Sequence, residues 1–142
     1  MLGEGADGAA MHVVAAAIVQ ERRLLLVSKR AAPDVFYLPG GKPQEDERLV
    51  DCLRRELAEE LAVTVRAVTA LADFRAVAAL EGVPMRMTVY ATTISGTPRP
   101  QAEIAALRWW PAPRRIDLAP AVADFVVPLL RRRGAFLGLP VA

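Results

Sequence analysis

Residues 45–60 constrain this chain more than any other stretch. They hold seven of its sixteen acidic residues, opposed locally only by Arg48, Arg54 and Arg55. The local balance is −4, within a chain of net charge +2. Through the same residues Val50, Leu53, Leu57 and Leu61 recur at steps of three and four, the apolar stripe of a helix that begins near Glu47. Like charges at helical spacing repel by about 0.2–0.5 kcal/mol per pair. The segment therefore carries either a solvated acidic face or a bound cation. At about 100° per residue, Glu56, Glu59 and Glu60 fall within roughly a 100° arc beside the stripe. Three carboxylates thus converge at the edge of the buried face.

The flanks read as strands. Residues 11–19 are apolar and rich in Val, Ile and Ala. Residues 24–27 form a second short run, and the two could pair as a hairpin across the polar residues 20–23. Residues 31–34 read as a loop and 36–38 as a brief extended piece, ended by Pro39-Gly40-Gly41. Residues 63–68 are β-branched, and 71–79 read as extended. Val83, Met85, Met87 and Val89 alternate with Pro84, Arg86, Thr88 and Tyr90, the pattern of a strand with one buried face. Residues 107–110 read as a short strand and 120–132 as a closing helix that Pro128 kinks. Strands on both sides of a central helix, with a second helix at the end, predict an α/β fold with a mixed sheet.

The length of 142 residues suits one domain. The organisation expected is a flexible tail over 1–10, the domain over 11–133 and an apolar tail over 134–142. The apolar side chains of 136–141 have to be covered, by the chain's own sheet or by a homodimer partner. No apolar run approaches a bilayer span, so no membrane partner is expected. The small net charge argues against stable nucleic-acid binding. Cys52 is the only cysteine, which excludes an intrachain disulfide and points to a reducing cytoplasm.

Chemistry follows from the acidic helix and the turn before it. Carboxylate oxygens on a rigid element suit Mg²⁺, with Mn²⁺ as the alternative. Gly40-Gly41 lets bare backbone approach a phosphate or offer a carbonyl to a metal. Together they suggest metal-assisted attack of water on phosphorus.

The segment GKPQEDERLVDCLRRELAEELAV, residues 41–63, resembles the Nudix box: Gly, five residues, Glu, seven residues, Arg-Glu-apolar-any-Glu-Glu, any, Gly, apolar. Gly41, Glu47, Arg55, Glu56, Leu57, Glu59, Glu60 and Val63 match. A chance match this good is on the order of one in a million. The approach FYLPGGK, residues 36–42, and the later segment 103–109 also look like the MutT-like branch, so the resemblance spans residues 12–130 and implies a Nudix-type α/β/α sandwich. It implies that Glu56, Glu59 and Glu60 bind metal, with one of them deprotonating water. The Gly41 carbonyl would be a further ligand. Arg55 would orient the carboxylates, Glu47 would hold Arg55 or the loop, and Lys42 would meet a phosphate. Glu103 is either a surface-loop acid or, as in some relatives, a metal ligand or base.

Ala62 stands where the box has Gly to end the helix in a left-handed conformation, at a cost of roughly 1 kcal/mol. Gln44 and Asp46 also depart from the Glu and Gly common there, so the loop can turn differently. His12, Cys52 and Trp109 read as structural or packing residues, and Arg131–Arg133 as a helix end favoured by the dipole. Trp110 and Phe36 are candidates to stack a base. The expected activity is pyrophosphate cleavage in a nucleoside-diphosphate derivative, foremost a (deoxy)nucleoside triphosphate. An ADP-ribose or nucleotide-sugar pyrophosphatase is the alternative. Some subfamilies carry a marker Pro or Tyr sixteen to eighteen residues past the box, and Ala79-Leu80-Glu81 stands there. A Nudix-fold binding or regulatory module is a further alternative, though such modules lose box carboxylates that this chain keeps.

Overall fold

Alternation along two central strands sets up the layers. The computed structural model describes residues 11–78 and 82–136. In it β1 (Met11–Ala17) sends Val14 and Ala16 into one apolar cluster, and Ala15 and Ala17 into another. β3 (Arg23–Lys29) does the same with Leu25 and Val27 against Leu24 and Leu26. Successive side chains leave opposite faces of a strand, and here both faces are covered, so these runs read as continuously apolar. One cluster takes Cys52, Leu53, Leu57 and Leu61 from α1 (Leu49–Leu61). The other takes Val122, Val126, Val127 and Leu130 from the closing helical segment. The strands are thus held between two helical layers, the α/β/α arrangement expected.

The remaining strands are β2 (Val19–Gln20), β4 (Ala32–Tyr37), β5 (Gly40–Gly41), β6 (Thr64–Val77), β7 (Pro84–Ser95), β8 (Ile104–Trp110) and β9 (Asp117–Leu118). One sheet has the order β5-β1-β7-β6, with β1 parallel to β7 and the other pairs antiparallel. The second has the order β2-β3-β4-β9, with β8 also paired to β3 and β4 parallel to β9. Both sheets are mixed.

Several local expectations change. The hairpin between 11–19 and 24–27 shrinks to Val19 and Gln20 against Leu24 and Arg23, across Glu21 and Arg22 at positive φ. β1 is captured instead by β7, in a parallel ladder from Met11↔Met85 to Ala17↔Ala91. Residues 64–68 and 71–77, read as two pieces, belong to one strand, β6. Its pairing with β7 shifts register between Val65 and Ala67 and again between Ala70 and Ala72. Each shift breaks the two-residue period, which is why the sequence reads as two pieces. Residues 32–34, read as loop, open β4, with Ala32 opposite Lys29. The closing helix widens to a π turn over Val122–Val126 and then continues as α2 (Val127–Arg132), with Pro128 in its first turn. Proline donates no N–H, so the hydrogen-bond pattern resets beside it. The N-terminal tail over 1–10, the marker position 79–81 and residues 137–142 lie outside the described residues. Phe136, at the start of the apolar tail, is buried against the Trp110 ring, 5.1 Å away and edge-on. This chain alone covers it.

Ala62 adopts the left-handed conformation, φ 59° and ψ 38°, and its N–H closes the helix on the Ala58 carbonyl at 3.1 Å. The helix end is where a glycine would put it, so the alanine carries the strain. Ala62→Gly is expected to raise unfolding stability by about 1 kcal/mol, read as a higher denaturant midpoint with turnover unchanged. A large gain in turnover at constant stability would assign Ala62 a role in the site.

Candidate active site

β5 and the loop that follows bring bare backbone to the face of α1. Gly40 and Gly41 pair with Ala15 and Val14 at the edge of the first sheet. A side chain at Gly40 would strike the Val14 carbonyl, and one at Gly41 would occupy the place of the Glu56 carboxylate. Only glycine at Gly41 lets Glu56 close against the turn. Asp46 takes a left-handed φ of 64°, a conformation that Asp tolerates better than most side chains. The turn then closes with Glu47 N–H donating to Gln44 O at 3.0 Å, and Gln44 N–H donating to Glu47 Oε1 at 2.9 Å.

Arg55 ties this loop to the helix. Its Nε and Nη2 donate to the two oxygens of Glu47, each at 2.9 Å. Nη1 donates to Glu56 at 2.9 Å and reaches Glu59 at 3.5 Å, and Nη2 also meets the Lys42 carbonyl at 3.3 Å. This is the fork geometry that a guanidinium supplies and an ammonium does not. The Arg55 hydrogen bonds, then the Gln44 N–H, hold the Glu47 carboxyl down at about 2.

Glu60 is the outlier. It is 3% exposed, among the buried leucines of α1. One hydrogen bond, from Gly40 N–H to Oε1 at 3.3 Å, meets it. Burial, and then the charge of Glu56, push its carboxyl up to about 8. Burial raises Glu56 as well. Facing them across the cleft, Glu103 pairs with Lys29 at 3.6 Å. Gly40, Gly41, Lys42, Gln44, Arg55, Glu56 and Glu60 line the same cleft of about 360 Å³ with Lys29 and Glu103.

The fold therefore gathers Gly41, Lys42, Arg55, Glu56, Glu60 and Glu103 around one cleft, with Glu47 acting through Arg55. Glu59 stands farther out, its side chain 57% exposed, and Ala62 lies at the end of the helix. Lys29 escaped the sequence reading, because a lysine ending a strand carries no signal. Register shifts in the pairing of β3 beside Lys29 re-aim it toward the cleft.

Phe36 and Trp110 are corrections. Both are core residues, 5% and 6% exposed, and neither lines the cleft or the pocket beside it, so a base held there does not stack on them. Arg108 and Arg131 lie over their rings at 5.6 and 5.4 Å. Trp109 is only partly buried, packed against the α1 cluster. Cys52 is buried and its thiol is pushed up to about 11, chiefly by desolvation, which suits a packing role. His12 meets the Thr88 hydroxyl at 2.9 Å.

Among the described residues, no three His, Cys, Asp or Glu side chains form a ready-made metal cage. Magnesium does not require one. It is commonly held by one or two carboxylates, with waters and substrate phosphates completing the shell. Two carboxylates, Glu56 and Glu60, and the Gly41 backbone share the cleft wall, and the space a Gly41 side chain would fill belongs to the Glu56 carboxylate. Their all-oxygen chemistry fits a hard divalent cation.

Comparison with known proteins agrees. The NUDIX domain model matches residues 10–131. The MutT NUDIX hydrolase of Burkholderia pseudomallei is 30% identical, with a TM-score of 0.65 over 75% of this chain and 88% of that one. Two further structures share the fold. The NUDIX domain of Shewanella oneidensis NrtR, solved with ADP ribose, is 22% identical, with a TM-score of 0.69 over 88% of each chain. A Streptococcus suis ADP-ribose pyrophosphatase is 22% identical, with a TM-score of 0.62 over 87% of this chain and 92% of that one. No curated protein matches significantly. With the match spanning most of its length, and Gly41, Arg55, Glu56 and Glu60 of the box lining one cleft, the chain belongs to the Nudix family, in its MutT-like branch, as a pyrophosphohydrolase.

Proposed function

We propose that this hydrolase converts a (deoxy)nucleoside triphosphate to the monophosphate and pyrophosphate, using Mg²⁺, which Mn²⁺ can replace. The observation that supports this most is the joint geometry of Glu56 and Glu60. The pair faces a cleft that also holds the cations Lys29 and Lys42, and that cleft adjoins a largely apolar pocket. Carboxylates for a metal, cations for phosphate and an apolar seat for the rest of the substrate lie in sequence.

Glu56 and Glu60 would hold the cation with the Gly41 carbonyl, and Glu59 would join from the rim. A bound divalent cation supplies charge neutralisation of the polyphosphate and activation of water. Arg55 keeps Glu56 ionised and aimed. Lys42 and Lys29 bind phosphate oxygens. Glu103, which lines the same cleft, takes the proton from the attacking water. The lone, buried Cys52 suits a reducing compartment, and we place the protein in the cytoplasm. Among the described residues no helix is long and apolar enough to cross a membrane.

The test is product analysis over a nucleotide panel with Mg²⁺, Mn²⁺ or chelator. Triphosphates are expected to give monophosphate and pyrophosphate only with a metal. ADP-ribose belongs in the panel because the Streptococcus relative is an ADP-ribose pyrophosphatase, and faster cleavage of it would transfer the assignment to that class. No metal-dependent product from any nucleotide would leave a binding module. Gly41→Ala provides a check on the geometry. Its side chain displaces the Glu56 carboxylate, so turnover is expected to fall by about 10–100-fold with the circular dichroism spectrum unchanged. Undiminished turnover would remove Glu56 from the site.

A further inference from the structure

The pocket beside the cleft has a wall chemistry that bears on substrate choice. It encloses about 100 Å³. Its wall is built largely of aliphatic and thioether side chains, among them Met11, Val13, Met85, Met87 and Val122. The alternation of β7 puts Met85 and Met87 on one face, and the parallel ladder with β1 sets Met11 and Val13 beside them. The charged groups in the wall, Lys29, Lys42 and Glu60, are those shared with the phosphate cleft. Among the described residues, Tyr37 is the one neutral polar side chain lining the pocket.

Base discrimination needs donors and acceptors fixed opposite the base edge. A site that pairs with such an edge rejects an analogue lacking it by about 10⁴-fold or more. The amide of Asn or Gln and the carboxylate of Asp, which present fixed patterns, are absent from the described wall. A tyrosine hydroxyl both donates and accepts, so alone it cannot separate a carbonyl from an amino group. Methionine side chains repack around differing shapes.

Resting on the triphosphate reading above, we infer that this pocket seats the nucleobase by burial of its faces and does not read its edge. The substrate class is then nucleoside triphosphates irrespective of base. Selection falls on the polyphosphate, and the base contributes affinity through apolar area alone.

The experiment compares kcat/KM of the Mg²⁺-loaded, full-length protein for the four natural deoxynucleoside triphosphates and for one whose base is difluorotoluene. That base keeps the outline of thymine without its N–H and carbonyl groups. The expected result is that all five lie within tenfold of one another. If the best natural substrate exceeds the difluorotoluene analogue by more than tenfold, the pocket reads an edge and the inference falls, with the triphosphate activity intact. If none of the five is cleaved, the proposed function and the inference fall together.

Discussion

Glu60→Gln is expected to abolish most of the activity while making the metal-free protein more stable. The carboxylate faces the cleft beside Glu56, and losing it should lower kcat on the order of 10³-fold. Stability should move the other way. In the folded, cation-free protein the Glu60 carboxyl is raised to about 8 by burial and then by Glu56, against an ordinary value of 4.5. An acid raised on folding destabilises the native state once pH passes the unfolded value, and the penalty grows until pH passes the folded one. At pH 7 that penalty is roughly 3 kcal/mol. Glutamine carries no charge and keeps an oxygen for the Gly40 N–H. The variant should therefore melt above the parent at pH 7, with the gap closing as pH falls toward 4.5. Magnesium should raise the melting temperature of the parent and leave that of the variant in place. A variant that melted lower at pH 7 and kept full turnover would place Glu60 among ordinary core residues. The opposing signs matter because a packing residue loses stability and activity together, whereas a functional charge held in a core does not.

Replacing Arg55 is the second large effect. Its guanidinium spans Glu47, Glu56, Glu59 and the Lys42 carbonyl. Arg55→Ala leaves Glu47 and Glu56 without their shared cation and releases the loop from the helix. Turnover is expected to drop by about 10–100-fold, the usual scale for a group that positions metal-binding carboxylates, with a lower melting temperature. Arg55→Lys should recover little of either, since one ammonium cannot grip both oxygens of Glu47 while meeting Glu56. The acid side of the stability profile supplies an independent readout. Glu47 is depressed to about 2, so its pairing stabilises the fold above pH 4.5 and is lost as pH falls toward 2. That decline should be present in the parent and missing in Arg55→Ala. Full rescue by lysine would show that charge alone is required there.

Much of this was legible without coordinates, and the reason is range. The stripe Val50, Leu53, Leu57 and Leu61 and the spacing from Gly41 to Glu60 act through a single helix and the turn before it. Periodicity over a few residues decides such elements. Ala62 was readable as a strained cap for the same reason. Strand partners were less readable. β6 looks like two pieces because two register shifts hide its alternation, and β1 looks like half of a hairpin because nothing local announces a parallel partner 74 residues away. Phe36 and Trp110 looked available for stacking because an aromatic side chain is equally at home in a core.

The acidic helix, the glycine turn ahead of it and the kind of chemistry they serve are readable along the chain. All three depend on neighbours along the chain. Which acids matter most depends on how the elements pack. Glu56, Glu59 and Glu60 look alike in the sequence, yet packing buries Glu60, covers most of Glu56 with Arg55 and the Gly41 turn, and leaves Glu59 at the rim. Lys29 and Glu103, and the methionine-lined pocket beside them, arise where β3, β5, β7 and α1 meet. Their positions are set by sheet register and bulges between segments far apart in the chain, a relation that no local pattern encodes.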